Sequence, residues 1–178
     1  MSQLFSPLAI GPLSLPNRIV VAPMCQYSSI DGEATDWHTQ HWTNLALSGA
    51  GLVIIEATAV EPRGRISWAD LGLYDDATEV AFAKALATAR RWSPAKIGVQ
   101  LAHAGRKAST LKPWEAGGGP IPAGDARGWT TRAPSSIPYA ETDPLPEALD
   151  DAGIEAIIRA FVDSATRAVR LGVDLIEL

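Results

Sequence analysis

Residues 51–57 have the sequence Gly-Leu-Val-Ile-Ile-Glu-Ala, a short apolar run that is rich in β-branched side chains. A run of this kind predicts a strand that is buried on both faces of a parallel sheet. Similar short runs occupy residues 18–24, 95–101 and 173–178. We therefore predict four parallel strands.

Amphipathic stretches that predict helices separate these strands. They cover residues 36–48, 76–91 and 151–171. The second stretch begins with a capping-box pattern, in which Asp76 is followed three residues later by Glu79. Strands that alternate with helices in this way indicate an α/β fold with right-handed βα crossovers.

The third helix carries the clearest apolar stripe of the chain. Gly172 follows the helix at the C′ position, where glycine commonly ends helices. The members of the stripe are Ile154, Ile157, Ile158, Phe161, Val162, Ala165 and Val169.

Two segments lie outside the alternating pattern. Residues 4–16 predict a small β-hairpin lid over one end of the sheet. Residues 103–150 form a long loop that contains seven of the thirteen prolines. Loops of this length in compact domains commonly bind ligands or are disordered. We interpret residues 103–150 as a capping loop within a single domain that covers residues 1–178.

The composition is that of a globular, water-soluble domain. Of the 178 residues, 47% are hydrophobic and 20% are charged, and the mean hydropathy is +0.05. A net charge of -5 and a pI near 5.1 disfavour a nucleic-acid partner. No apolar run is long enough to span a membrane, the first residues lack an export signal, and the single cysteine forms no internal disulfide. We expect a cytoplasmic protein without nucleic-acid or membrane partners.

The carboxyl ends of the predicted strands carry the residues that suggest a binding site. Ligands of parallel α/β folds bind at these ends. Ala22 and Pro23 lie at the end of the first predicted strand, Ala57 ends the second, and Gln100 belongs to the third. Small or flat side chains suit the face of a ring, and an amide both donates and accepts hydrogen bonds at its edge. The pattern favours a planar ligand with polar edges.

Three sequence strings carry a family resemblance. They are Asn-Arg-Ile-Val-Val-Ala-Pro-Met-Cys-Gln-Tyr at 17–27, Glu-Ala-Thr-Ala-Val at 56–60 with Gly-Arg-Ile at 64–66, and Gln-Leu-Ala-His-Ala-Gly-Arg-Lys at 100–107. Together they resemble the Old Yellow Enzyme family of flavin-dependent ene-reductases. The pair of Cys25 and Tyr27 is similar to that of the bacterial, xenobiotic-reductase-like branch.

The resemblance implies a (β/α)8 TIM barrel. This chain would supply its N-terminal half, with about the first four βα units and the N-terminal hairpin lid. The resemblance also implies FMN as cofactor, NADPH or NADH as reductant, and a small electrophilic alkene or nitro compound as substrate. The reaction would be hydride transfer through the flavin to an activated C=C bond or a nitro group.

Two matching residues would take part in catalysis. Cys25 matches a cysteine beside the reactive edge of the flavin, where its polarity tunes reduction, and Tyr27 matches a tyrosine that contacts the substrate. From the residues alone, Cys25 could equally be a small buried hydrophobe. Tyr27 could equally be an aromatic side chain that packs against the hairpin.

A second set of matching residues would bind the cofactor. In the family, the first-strand segment lies along the flavin, a small residue packs against the ring, and an amide pairs with its pyrimidine edge. From the residues alone, the last two are also compatible with an ordinary strand alanine and a hydrogen-bonded core amide. The matching positions are Ala22, Pro23, Met24, Cys25, Ala57 and Gln100.

Five further polar residues carry weaker signals. His103, Arg106 and Lys107 could hold phosphate or ribityl oxygens, but we interpret them as anchors of the long loop. His38 and His41 have a spacing that could bind a metal, but no further ligands complete the set. We interpret both as ordinary helix histidines and expect no metal site.

The residues that complete the family's site are not found in residues 1–178. The family pattern continues with a histidine pair for the substrate oxygen, a tyrosine proton donor, an arginine near the flavin and a phosphate site. We therefore expect the chain to need a missing C-terminal half, or to form a homo-oligomer. Two alternatives stay open. The first is a catalytically incompetent half-barrel that pairs through its open strand edges, and the second is part of another FMN barrel such as a dienoyl-CoA reductase.

Overall fold

The computed structural model describes residues 2–178 of the chain. None of the helices in this range is long and apolar enough to cross a membrane. In chain order the strands and helices are β1 (Leu8–Ile10), β2 (Leu13–Leu15), β3 (Val20–Val21), α1 (Asp36–Ala46), β4 (Leu52–Ala59), α2 (Asp76–Trp92), β5 (Lys96–Ala102), β6 (Arg132–Ala133), β7 (Glu147–Ala148), α3 (Asp151–Arg170) and β8 (Leu175–Glu177).

The four predicted strands form one parallel sheet in the order β3-β4-β5-β8. This confirms the predicted parallel strands, although their lengths differ from the prediction. Strand β3 pairs over only two residues, because Pro23 has no N–H to donate and the chain leaves the ladder before it. Strand β4 extends to Ala59, with an irregularity in its register between Ile55 and Thr58.

Helices α1, α2 and α3 pack on one face of the sheet and form the main core. Trp42 of α1 lies against Phe82 of α2, with ring centroids 4.8 Å apart. Ile55 and Val99 from the central strands complete the same buried cluster. This packing fixes the helices relative to the strand ends that carry the predicted site.

The hairpin β1–β2 lies within the predicted segment 4–16 and covers the opposite face of the sheet. Leu15 is fully buried against Leu52 and Ile54, and Leu175 packs on the same cluster. Leu52 is the first residue of β4, so the hairpin covers the amino-terminal side of the strands. Their carboxyl ends remain accessible.

The cap of α2 differs from the prediction by one residue. Asp75, and not Asp76, is the N-cap, and its Oδ1 accepts a hydrogen bond of 2.8 Å from the Thr78 N–H. Thr78 Oγ1 in turn accepts from the Asp75 N–H at 3.1 Å. Glu79, which the pattern assigned to the capping box, instead pairs with Arg167 and Arg170 of α3. Contacts between distant parts of the chain therefore override the local pattern.

The apolar stripe predicted on α3 is present, but only about half of it is buried. Phe161 and Ala165 pack against the main core. Gly172 lies after the helix with a φ of 70°, as the C′ prediction requires. Exposed apolar side chains, between 45% and 67% accessible, form the other half of the stripe: Ile154, Ile158, Val162 and Val169.

Candidate functional site

Three adjacent strands bring predicted site residues together at their carboxyl ends. Ala57 is the only residue of β4 that is not buried, and Gln100 is a partly exposed residue of β5, the next strand. Ala22 follows β3 on the other side of β4 and is exposed. The strand ends therefore offer an accessible surface of small side chains bordered by one amide.

The turn after β3 is irregular, and hydrogen bonds from side chains hold it in place. The Gln26 amide donates to the Met24 carbonyl at 2.8 Å and accepts from Trp37 Nε1 at 3.1 Å. Ser28 Oγ donates to the Gln26 carbonyl at 2.9 Å. Tyr27 has a φ of 51°, in the left-handed region that a bulky residue adopts only when its surroundings require it.

Cys25 lies in this turn as a neutral, partly buried thiol. Burial, with smaller contributions from the carboxyl groups of Asp70 and Glu56, raises the pKa of the thiol to about 12, although the nearby Ala57 N–H opposes this shift. A thiol in this state is neither a nucleophile nor a thiolate redox sensor at neutral pH. It is a small, weakly polar group beside Ala57.

Tyr27 contacts the long loop rather than the hairpin. Its ring meets Trp114 edge-on, with centroids 5.5 Å apart. Burial raises the pKa of its hydroxyl, and Cys25 beside it contributes in the same direction. Tyr27 is therefore a neutral phenol that belongs to the turn after β3 and contacts the long loop.

Gln100 is held in place by the next strand of the sheet. Its Nε2 donates to Glu177 Oε1 at 2.6 Å, and the two residues are register partners on β5 and β8. This bond orients the amide group of Gln100 toward β8. Gln100 is therefore oriented as well as accessible.

Sequence reasoning missed a buried pair next to this turn, formed by Glu56 of β4 and His38 of α1. Glu56 Oε2 accepts a hydrogen bond of 2.6 Å from the Gln26 N–H, and its Oε1 lies 3.4 Å from His38 Nε2. Burial raises the pKa of Glu56 to about 8 and lowers that of His38 to about 4. The sequence feature that could have revealed this pair is the carboxylate of Glu56 within an otherwise apolar strand.

The basic residues after β5 anchor the long loop, as the sequence interpretation expected. His103 Nε2 lies 3.0 Å from Glu61 Oε1, and Arg106 donates to the Ile137 carbonyl at 2.6 Å. Lys107 Nζ lies 4.6 Å from the ring centroid of Tyr139. These contacts tie His103 to the segment that follows β4, and tie Arg106 and Lys107 to residues within the loop.

Two features remain, which are the second histidine of α1 and a cavity in the long loop. His41 stacks on Trp37, and no group of three metal-ligating side chains occurs among residues 2–178. The long loop surrounds a cavity of about 720 Å³ next to Ile66, Trp129 and Tyr139. No predicted site residue lines this cavity.

Comparisons with known proteins agree with this geometry. A model of the NADH:flavin oxidoreductase / NADH oxidase family matches residues 3–178. The chain is 41% identical to an NADPH dehydrogenase of Geobacillus sp. (strain WCH70), covering 99% of the chain and 47% of that protein. It is also 41% identical to an NADH:flavin oxidoreductase of Gibberella zeae, covering 99% of the chain and 43% of that protein. The chain thus spans about half the length of the curated relatives it matches.

Solved structures show the same relation. Morphinone reductase matches with a TM-score of 0.79 and 28% identity, over 97% of this chain and 46% of that protein. An Old Yellow Enzyme from Pichia sp. AKU4542 matches with a TM-score of 0.80 at 24% identity, which concerns the fold alone. The predicted fold class, part of a (β/α)8 barrel, is confirmed. The chain belongs to the NADH:flavin oxidoreductase / NADH oxidase family, which confirms the resemblance to Old Yellow Enzyme.

Proposed function

We propose that this chain supplies the flavin-facing half of an FMN-dependent NAD(P)H oxidoreductase of the ene-reductase type. Its substrates would be small electrophiles with an activated C=C bond or a nitro group. Family membership implies FMN and a nicotinamide reductant. The observation that carries the proposal is the accessible surface formed by Ala22, Ala57 and Gln100 across three adjacent strand ends.

The residues at these strand ends fit the ring of FMN. The side chain of Ala57 is a single methyl group, so a flat ring can approach the backbone of β4 closely. The Gln100 amide can both donate to and accept from the pyrimidine edge of a flavin. The basic side chains after β5 are engaged by the loop, so we expect the phosphate group to be bound by residues outside this surface.

Each residue of the turn would have its own task. FMN, when bound, supplies hydride transfer between the nicotinamide and the substrate. Pro23 and Met24 would cover one face of the site, and Cys25 would present a neutral thiol whose polarity affects the energy of the reduced cofactor. Tyr27, a neutral phenol, would donate a hydrogen bond to a polar group of the substrate.

The pair of Cys25 and Tyr27 also supports a finer assignment, to the xenobiotic-reductase-like branch. Another FMN barrel, such as a dienoyl-CoA reductase, would also carry an iron–sulfur centre. Measuring iron and acid-labile sulfide in the flavin-loaded protein separates these assignments. We expect neither to be present, and a stoichiometric cluster would favour the second. A cytoplasmic location stays a prediction from the single cysteine.

Two features favour a partner that completes the barrel. Strands β3 and β8 are the two edges of the sheet, and each has one side without a neighbouring strand among residues 2–178. The apolar side chains in the exposed half of the α3 stripe are likewise not covered by residues 2–178. Unpaired edges and exposed apolar faces favour association. We propose a C-terminal barrel half as the partner, and a second copy of the chain as the alternative.

Size-exclusion chromatography with light scattering and flavin absorbance tests both proposals. The chain is run with FMN, alone and after mixing with the C-terminal half of the Geobacillus NADPH dehydrogenase. We expect the mixture to elute as one complex that carries flavin and is bleached anaerobically by NADPH or NADH. Absence of flavin from both samples would contradict the function. A homodimer that carries flavin and does not bind the added half would support the second copy instead.

A further inference from the structure

The N-terminus of α1 determines which nitrogen of His38 carries its proton. The Thr35 N–H donates to His38 Nδ1 at 3.0 Å. A backbone N–H can only donate, so Nδ1 must be unprotonated, and the neutral ring then carries its proton on Nε2. Burial lowers the pKa of His38 to about 4, with a smaller contribution from His41, so the ring is neutral at physiological pH.

In this tautomer the proton on His38 Nε2 lies near Glu56, although the two side chains form no hydrogen bond. Nε2 lies 3.4 Å from Glu56 Oε1, and both side chains are almost completely buried. The other oxygen of Glu56 accepts from the Gln26 N–H at 2.6 Å. Thr35 reaches the same turn directly, because its Oγ1 donates to the Ser28 carbonyl at 3.0 Å. Helix α1 and strand β4 therefore hold residues 26 and 28, on either side of Tyr27.

We propose that the buried His38–Glu56 pair is the positioning device for the turn that presents Cys25 and Tyr27 to the ligand. This inference rests on the proposed function for the identity of the ligand, but not for the action of the pair on the turn. Glu56 is a positioning residue, since it acts through Gln26 and lies behind the surface that a ligand would touch.

Backbone strain explains why the turn needs such a device. A tyrosine with a φ of 51° is in a sparsely populated, unfavourable conformation that persists only when its surroundings hold it. The hydrogen bond from Gln26 to Glu56 is short and partly buried, so it opposes relaxation of the turn. Without this acceptor, the turn would relax and Cys25 would lose its cover.

The charged and titratable groups around Glu56 come from every neighbouring element. Asp70 lies in the segment between β4 and α2, and burial raises its pKa to about 6. Cys25 and Tyr27 lie on the turn, and His38 lies on α1. None of these groups is a cation at neutral pH, so Glu56 has the Gln26 N–H as its hydrogen-bond donor and no opposite charge beside it.

The single cysteine of the chain makes this proposal testable without flavin. We would measure the rate of modification of Cys25 by a maleimide or a disulfide reagent between pH 7 and pH 10, at equal folded fractions by circular dichroism. Glu56→Leu removes the acceptor, whereas Glu56→Gln keeps an oxygen for the Gln26 N–H. Glu61→Leu is the control, because it removes another partly buried carboxylate, one that holds His103 in the long loop.

We expect Glu56→Leu to accelerate modification at least tenfold and to move its pH profile toward that of an ordinary thiol. Glu56→Gln and Glu61→Leu should stay within about threefold of the wild type. A wild-type rate in Glu56→Leu, or equal acceleration in Glu61→Leu, would overturn the proposal. If Glu56→Leu does not fold, Thr35→Val provides the test, because it removes the hydroxyl that donates to the Ser28 carbonyl and lies 3.1 Å from His38 Nδ1. Acceleration of more than about threefold supports the proposal, and a rate within about threefold of the wild type overturns it.

A parallel titration with FMN separates this inference from the proposed function. Binding is followed by quenching of flavin fluorescence in the complex with the C-terminal half. If wild type binds no flavin, the proposed function fails, while the thiol rates still report on the turn. If wild type binds flavin and Glu56→Leu shifts its visible spectrum, the turn acts on the ligand through Glu56.

Discussion

The polar side chains at the strand ends are held by the protein before any ligand binds. Gln100 donates to Glu177, and the Cys25 thiol lies beside the Ala57 N–H. Groups that are already oriented lose less conformational entropy on binding than free side chains. We therefore expect single substitutions at these positions to change affinity more than the number of contacts suggests.

Gln100→Leu gives the clearest residue-scale prediction. The change removes both the donor and the acceptor that we assign to the flavin pyrimidine, and we expect the Kd for FMN to rise about tenfold, or about 1.4 kcal/mol. Flavin fluorescence titration measures it in the complex with the C-terminal half. Gln40→Leu, the same change at an exposed position of α1, is the control. Equal Kd values for the two variants would remove Gln100 from the site.

The residues of the candidate site were predictable where a sequence motif contains them. They were not predictable where the packing of distant elements creates the contact. Cys25, Tyr27 and Gln100 belong to strings that a sequence displays, although their roles remain proposals. The His38–Glu56 pair depends on how α1 packs against β4, and neither residue lies near the other in sequence. A carboxylate in the run 51–57 was visible, but its partner was not.

The first turn of α2 shows at the element scale how distant contacts select between local alternatives. Both Asp75 and Asp76 could cap a helix, and the spacing of Asp76 to Glu79 favours the second. In the fold, Glu79 is occupied by Arg167 and Arg170 from α3, so the cap forms one residue earlier.

Adjacent alanine substitutions test this cap. Asp75→Ala removes the acceptor for the Thr78 N–H, so we expect the free energy of unfolding to fall by about 1 kcal/mol. Asp76→Ala removes only an exposed ion pair with Arg167, and should change it by less than about 0.5 kcal/mol. Urea denaturation followed by circular dichroism measures both. A larger loss of stability in Asp76→Ala than in Asp75→Ala would indicate that Asp76 is the N-cap.

Sequence periodicity predicted the existence of helices and strands better than their surroundings. The stripe of α3 has the period of a helix that packs on a sheet, and Phe161 and Ala165 do so. The periodicity does not distinguish this face from the adjoining one, which carries Ile154 and Ile158 in solvent. Such a face requires a neighbour from another part of the fold, which local patterns do not contain.

At the scale of the whole molecule, the buried carboxylates make stability depend on pH. Burial raises the pKa of Glu56 from about 4.5 to about 8. Between these values the unfolded chain releases a proton that the folded chain retains, so stability falls as pH rises. His38 has the opposite effect, but its pKa is lowered to about 4, so its window lies between that value and its ordinary 6.5. Above pH 7, the effect of Glu56 dominates.

We predict that the free energy of unfolding decreases by about 1 kcal/mol between pH 7 and pH 8 in wild type. Glu56→Gln cannot ionise, so its stability should be nearly constant over this range. Asp70→Asn is the matched control, because the pKa of Asp70 is only raised to about 6 and its window lies below pH 7. Urea titrations at each pH give the slopes. A slope that persists in Glu56→Gln, or disappears in Asp70→Asn, would contradict this assignment.

The hairpin β1–β2 has a consequence for the order of folding. Its leucines are among the first residues to leave the ribosome, but they pack on a cluster that includes Leu52 of β4 and Leu175 of β8. The loops that must close before this cluster exists are among the longest in the chain, and such contacts form slowly. The hairpin therefore docks after the central strands have paired. In pulse-labelling hydrogen exchange, its amides should become protected later than those of β4 and β5.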